Sequence, residues 1–224
     1  MRGRQARWWA SVAVAVLSCG RAAWAHKPIF SDGSARDAAH AMPLRNLDVS
    51  QVVYHEVPAQ ANQLWLSFDA QKGQELLLQL GVPVIERLKT LKPSVAVLGP
   101  GLPEIKLPFD IPNGLGGVVL HSEGAEAVRF HEPFTGTDSW MLGKHKVTLP
   151  AAGRYFIVAY VPPNTAGKFW VVFGYKEVFG VGDWLKLPAW IARVRRFHEI
   201  GGVPGWVKVM AVGGVAVTAL AWAL

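Results

Sequence analysis

Residues 153–175 read GRYFIVAYVPPNTAGKFWVVFGY, and this stretch decides the fold class. Phe156, Val158 and Tyr160 alternate with Tyr155, Ile157 and Ala159, the period of a β-strand. Pro162-Pro163-Asn164 breaks the run, and a second strand pattern follows from Lys168 to Tyr175. Working back along the chain, the same signal recurs at Val49–Val57, Gln63–Asp69, Glu75–Val82, Ser94–Leu98, Gly117–His121, Ala127–Phe130 and His145–Leu149. Leu64, Leu66 and Phe68 alternate with Trp65, Ser67 and Asp69, and Lys72-Gly73, Gly99-Pro100-Gly101 and Pro112-Asn113-Gly114 mark turns between runs. Many short strands with turn signals predict a β-sandwich or barrel, and the absence of long helical patterns between them argues against a parallel α/β sheet. The stretch 98–117, rich in proline and glycine, reads as a long structured loop.

The two ends read differently. Arg2, Arg4 and Arg7 precede the apolar run Trp8–Leu17, and Ala23-Trp24-Ala25 fits a small-x-small cleavage site. Residues 1–25 are therefore predicted to be a signal peptide, with His26 the first residue of the exported chain. From Trp206 to Leu224 the only charge is Lys208. A spanning helix needs about 20 apolar residues, and Trp206 and Trp222 suit the two interfaces, so 203–224 is predicted to be one transmembrane helix. Residues 26–182 would form the exported domain, on the periplasmic or extracellular side of the cell membrane.

Between domain and span lies 183–202. Trp184, Leu187, Ile191, Val194 and His198 recur at three- and four-residue steps, with Asp183 placed to cap a helix and Pro188 to kink its first turns. A basic amphipathic segment beside a span reads as an interfacial helix, with Trp184, Lys186, Trp190, Arg193, Arg195 and Arg196 as its membrane-surface residues. The alternative is that this helix packs on the domain. Export places its arginines on the outer side, against the positive-inside rule; attraction to anionic headgroups would give them a reason to be there.

Charge narrows the function classes. The chain has 23 Lys and Arg against 16 Asp and Glu, a formal +7. Arg2, Arg4, Arg7 and Arg21 fall in the signal segment, and residues 26–182 hold 14 bases and 14 acids. A charge-neutral body has no basic excess with which to hold nucleic acid. The single cysteine, Cys19, excludes a disulfide framework and a cysteine-based zinc site.

The segment Gly153–Tyr160 followed by Gly167–Val172 resembles the closing hairpin of prepeptidase-type domains, secreted jelly-roll-like β-sandwiches that accompany other proteins. Five further segments are similar to a group of membrane-anchored prokaryotic ectodomains without assigned activity. They are Ala25-His26-Lys27-Pro28-Ile29-Phe30, Asp48–Val57, Gly99-Pro100-Gly101-Leu102-Pro103, His131-Glu132-Pro133-Phe134-Thr135 and Glu177-Val178-Phe179. The resemblance covers most of the exported chain. It implies a mainly β, antiparallel, jelly-roll-like sandwich with a C-terminal amphipathic helix and one transmembrane helix, and it implies no chemistry.

Two stretches could carry a site. Cleavage after Ala25 would give His26 both a free amine and an imidazole, the donor pair of a histidine brace, and such nitrogens suit copper. Lytic polysaccharide monooxygenases and some periplasmic copper carriers begin this way. The second imidazole would come from His40, His55, His121, His131 or His145, with His131 paired to His26 as the candidate metal site. The bland reading makes His26 the polar first residue of a frayed end. Residues Arg129–Asp138 collect His131, Glu132, Asp138 and two threonines, and the two acids could bind a hard cation such as calcium. Alternatively Glu132-Pro133 ends a strand, Phe134 plugs the core, and Thr135 and Thr137 bond the turn. No nucleophile elbow, H-E-x-x-H helix or Walker loop is present. The sequence thus predicts a non-enzymatic binding or accessory module with no cofactor. Membrane lipids, and another membrane or periplasmic protein, are its expected partners, and copper on His26 is the rival reading.

Overall fold

The computed structural model describes residues 26–58, 61–122, 126–202 and 204. The predicted signal peptide and nearly all of the predicted span lie outside these residues, and among those described no helix is long and apolar enough to cross a membrane. In chain order the strands are β1 (Lys27–Phe30), β2 (Met42–Pro43), β3 (Gln51–Val57), β4 (Gln63–Ala70), β5 (Glu75–Pro83), β6 (Ser94–Gly99), β7 (Gly116–Leu120), β8 (Val128–Glu132), β9 (Thr137–Thr148), β10 (Gly153–Tyr160) and β11 (Gly167–Phe173). One helix, α1 (Val181–Phe197), follows. The strands form a six-stranded front sheet, β1-β3-β11-β5-β9-β8, and a five-stranded back sheet, β2-β4-β10-β6-β7. Pairing is antiparallel except that β1 runs parallel to β3, and β2 to β4.

The alternation read from the sequence sorts the core. Leu64, Leu66 and Phe68 of β4 and Tyr155, Ile157 and Ala159 of β10 face inward, against Leu76, Leu78 and Leu80 of β5 and Phe169, Val171 and Phe173 of β11. The outward residues of the back sheet are apolar too: Trp65, Phe156 and Val158 are covered by Leu107, Phe109, Ile111 and Leu115 from the long loop. That loop is therefore a lid on the back sheet, which explains why β10 carries apolar residues on both faces.

Three expectations need correction. The stretch 153–175 is not a hairpin: β10 pairs with β4 and β6 in the back sheet, and β11 with β3 and β5 in the front sheet. The connection with Pro162-Pro163 carries the chain across the sandwich, and proline's missing donor keeps it from extending either ladder. His26 does not begin a frayed end, because β1 follows at once, and Lys27 N donates to Ser50 O at 3.1 Å. β1 escapes sequence reading because Pro28 argues against a strand, yet proline is tolerated at an edge. Finally, Asp183 is not the helix cap. α1 starts after Gly180, and Asp183 Oδ2 accepts the Gly180 N–H at 2.9 Å and pairs with Lys27 Nζ at 2.7 Å.

Candidate functional site

The outer face of the front sheet is built from every second residue of five strands. Tyr54, Trp170, Gly81, Met141 and Val128 lie side by side across β3, β11, β5, β9 and β8. The Trp170 indole lies flat over Gly81, where a Cβ would fall 2.0 Å from the ring. The glycine is thus required by the tryptophan, not by a turn. α1 crosses one end of this face and buries Ile191, Val194, Phe197 and His198 against it. The uncovered remainder is a cleft of about 520 Å³. Val52, Met141, Trp170 and Val172 supply its apolar surface, and Phe130 and Tyr175 stand half open at its rim. A smaller space of about 50 Å³ continues beneath α1, and His26, Val52, Tyr54 and Glu132 form the wall shared by both.

Polar groups converge on this wall. Trp170 Nε1 donates to Ser139 Oγ at 3.0 Å, and Ser139 Oγ lies 3.1 Å from His198 Nε2. His198 Nδ1 is 2.9 Å from the Val194 carbonyl, which can only accept. His198 therefore carries its proton on Nδ1, and Nε2 accepts from the serine. Burial lowers its pKa, with the nearby Lys168 charge acting the same way, so this neutral tautomer is held at pH 7. His26 Nδ1 bonds Ser50 Oγ, and burial likewise lowers the pKa of His26. Burial raises the Tyr54 phenol and keeps it protonated, aided by the Glu132 charge.

Glu132 is held by its own turn. It accepts from Phe134 N at 2.9 Å, Thr135 N at 2.7 Å and Thr135 Oγ1 at 2.6 Å, and Thr135 Oγ1 lies 2.8 Å from Thr137 Oγ1. The turn-forming alternative holds for Glu132, Thr135 and Thr137, but Phe134 is only half-buried and lines the small space under α1, not the core. Asp138 is spent on Arg129 at 3.2 Å and His131 at 3.1 Å, and these hydrogen bonds hold its carboxyl below the usual range despite some desolvation. The two acids also take opposite parity on the β8–β9 pair, Glu132 beside Thr137 and Asp138 beside His131, so they do not converge on one cation.

Ser139 and His198 have the spacing of a nucleophile and its base. Among the described residues the rest of such a centre is not seen: the serine lies near the start of β9, in register with Pro83 on one side and Phe130 on the other, and its oxygen already accepts the indole N–H. The arrangement braces α1 against the sheet and leaves a cleft with an apolar floor and one polar wall, geometry suited to holding a small ligand.

The structure separates the paired metal candidates. His26 lines the cleft, whereas His131 sits between Phe130 and Glu132 on the opposite face of β8, bonded to Asp138. His55 is buried against Phe169, and His40 bonds Asp37 at 2.8 Å. Among the described residues no group of three or more His, Cys, Asp or Glu is placed to hold a metal ion. The membrane-surface candidates divide as well. Trp184 lies in the first turn of α1, Lys186 is exposed, and Trp190 lines the small space under the helix. Arg195 reaches the carbonyls of Thr135, Gly201 and Gly202, and Arg193 and Arg196 remain exposed. Sequence reasoning missed Tyr54, Ser139 and Trp170; the signal available was the outward parity of β3, β9 and β11, which becomes legible only once the inward parity is known.

No protein family and no curated protein matches the chain. Solved structures do. PliG, a periplasmic inhibitor of g-type lysozyme from Aeromonas hydrophila, matches at 14% identity and TM-score 0.37, over 66% of this chain and 98% of that one. The pre-peptidase C-terminal domain of a Bacillus anthracis collagenase matches at 7% identity and TM-score 0.30, over 66% and 94%. CorA, a surface-associated copper-binding protein of Methylomicrobium album BG8, matches at 14% identity and TM-score 0.31, over 67% and 99%. At these identities and scores no function passes from them to this chain.

Proposed function

We propose that this chain is an exported β-sandwich, tethered to the cell membrane by the apolar stretch 203–224, and that it acts as a non-enzymatic binding or accessory module. The observation behind the binding role is the cleft on the front sheet, whose polar wall is ordered by internal hydrogen bonds while its floor stays apolar and open. Its ligand is a small, mainly apolar molecule with a hydrogen-bonding end directed at the His26–Tyr54–Glu132 wall. The resemblance to membrane-anchored ectodomains and the two apolar chain ends support the location. The test uses residues 26–202, which hold both sheets and α1, and the fluorescent apolar probe N-phenyl-1-naphthylamine. Saturable binding with loss of tryptophan emission is expected, and Val172→Trp, which fills the cleft, should abolish it without lowering the melting temperature. Binding that is unsaturable, or unchanged in Val172→Trp, would refute the cleft.

A second reading assigns copper to His26. Its supporting observation is a neutral imidazole lining the cleft, although Nδ1 would have to leave Ser50 to coordinate. Mass spectrometry of the mature N-terminus followed by copper titration of wild type and His26→Ala decides it. A start other than His26, or equal copper uptake by both proteins, removes this reading.

A further inference from the structure

A second groove, of about 780 Å³, lies on the far side of Tyr54 from the cleft, between the end of α1 and the β1–β3 edge. Phe30, Tyr54 and Phe197 line it as an aromatic ladder, with ring centroids 5.2 Å and 4.9 Å apart. Four cations reach it: Arg87, Lys168, Arg193 and Arg196. Two are already neutralised. Arg87 forms a two-pronged pair with Glu199, and Lys168 meets Glu56 at 3.1 Å and Glu199 at 3.2 Å. Asp32, the other acid in the wall, is turned onto Ser34 N and Oγ at 2.9 and 2.6 Å. Among the described residues Arg193 and Arg196 meet no carboxylate, and they lie three apart on one helix face. The Arg193 guanidinium lies over Phe30 with its centre 4.0 Å from the ring centroid, and the residue is exposed.

We infer that this groove binds the headgroup of an anionic phospholipid, with Arg193 and Arg196 as the phosphate clamp. The inference rests on the membrane-tethered reading. A guanidinium fork matches phosphate in geometry and charge, and two uncompensated forks side by side make a site for a doubly bridged phosphate oxygen pair. The chain's exit puts them at the right depth. Arg195 Nε and Nη2 hold the Gly202 and Gly201 carbonyls at 2.9 Å, so the backbone turns back on the end of α1 that also carries Arg196. Trp206, where the apolar stretch begins, comes four positions after Gly202, a reach of at most about 14 Å. The groove therefore lies at the headgroup layer if 206–224 enters the bilayer. A zwitterionic headgroup would bring its own cation beside Arg193 and Arg196, the two cations without a carboxylate partner among the described residues, which favours the anionic class. The site also gives the outward arginines a ligand that offsets their departure from the positive-inside rule.

The full chain in non-ionic detergent, mixed with equal phosphatidylglycerol and phosphatidylcholine, tests this by native mass spectrometry. One retained phosphatidylglycerol is expected. Arg193→Gln with Arg196→Gln should lower its occupancy roughly ten-fold or more, the effect of two cations near an anionic headgroup. Lys72→Gln, an exposed cation in the turn between β4 and β5, should leave it unchanged. Both arginines are exposed, so an unchanged melting temperature is expected in the double variant. Equal retention of the two lipids overturns the groove, as does retention of phosphatidylglycerol by the folded double variant. Displacement of the lipid by millimolar inorganic phosphate overturns it in favour of a soluble anion. Cell fractionation run alongside separates the two readings: a membrane-bound chain without lipid preference sinks the groove alone, and a chain in the soluble fraction sinks the tether.

Discussion

His55 sits in the sandwich core at 2% exposure, tilted against Phe169, and among the described residues neither ring nitrogen has a partner. Burial pushes its pKa down to about 4, with Glu56 only partly opposing the shift. The sign follows from the neutral form being the buried one. Above pH 6.5 the residue is neutral whether folded or unfolded. As pH falls from 6.5 towards 4 the unfolded chain takes the proton first, and stability drops by about 3 kcal/mol over that window. His55→Leu should remove that loss and raise the melting temperature at pH 5 more than at pH 8, as read by calorimetry; a parallel shift at both pH values would show that the titration is irrelevant. His26 and His198, also lowered by burial, act in the same direction. The cleft position of His26 was not legible in the sequence, because it depends on β1, the edge strand that Pro28 hides. Nor was the placement of His131. Which face of β8 it takes depends on the register His131↔Asp138 with β9, and no local pattern in Val128–Glu132 encodes that pairing.

At the scale of the element, α1 is the instructive case. Its apolar stripe suits a lipid surface and a protein surface equally, since both ask only for one buried face. The structure buries Ile191, Val194 and Phe197 on the sheet while leaving Leu185 81% exposed. The first turns thus carry an apolar residue the domain does not cover, and the last two turns are part of the domain itself. Arg195 is the hinge between these roles, tying the helix to the β8–β9 turn through Thr135 O at 2.8 Å. Arg195→Ala should cost about 1–3 kcal/mol. It should also raise amide exchange in 134–136 and 199–202 while leaving β10 protected, and Arg195→Lys should recover little, because one ammonium cannot serve carbonyls on both sides. Unchanged exchange in both segments would show the strut to be idle. The strands themselves were largely legible, from Gln63 to Phe173, because turn residues bracket runs of period two. β9 was found only from His145 on, since Gly143, at φ +61°, and the shift in register near Gln79 interrupt the alternation.

For the whole molecule the central fact is where the last two strands go. β10 sits between β4 and β6, and β11 between β3 and β5. Ending the chain at Ala166 would leave β3 and β5 without a shared partner, and with them two unpaired edges and a core without Phe169, Val171 and Phe173. Such a truncation should show no cooperative melting by circular dichroism, whereas one ending at Gly202 should. This central placement has a consequence in time. If the chain is exported from its N-terminus as proposed, nine strands emerge before the back sheet gains β10 and ten before the front sheet gains β11. The front sheet cannot join β3 to β5 before residue 173, the back sheet's ladder joins segments as distant as Gln63 and Tyr160, and topology of this kind folds in milliseconds to seconds, not microseconds. The emerging chain would spend that interval as a string of uncommitted β-segments, which makes it a natural client for whatever holdases its compartment contains.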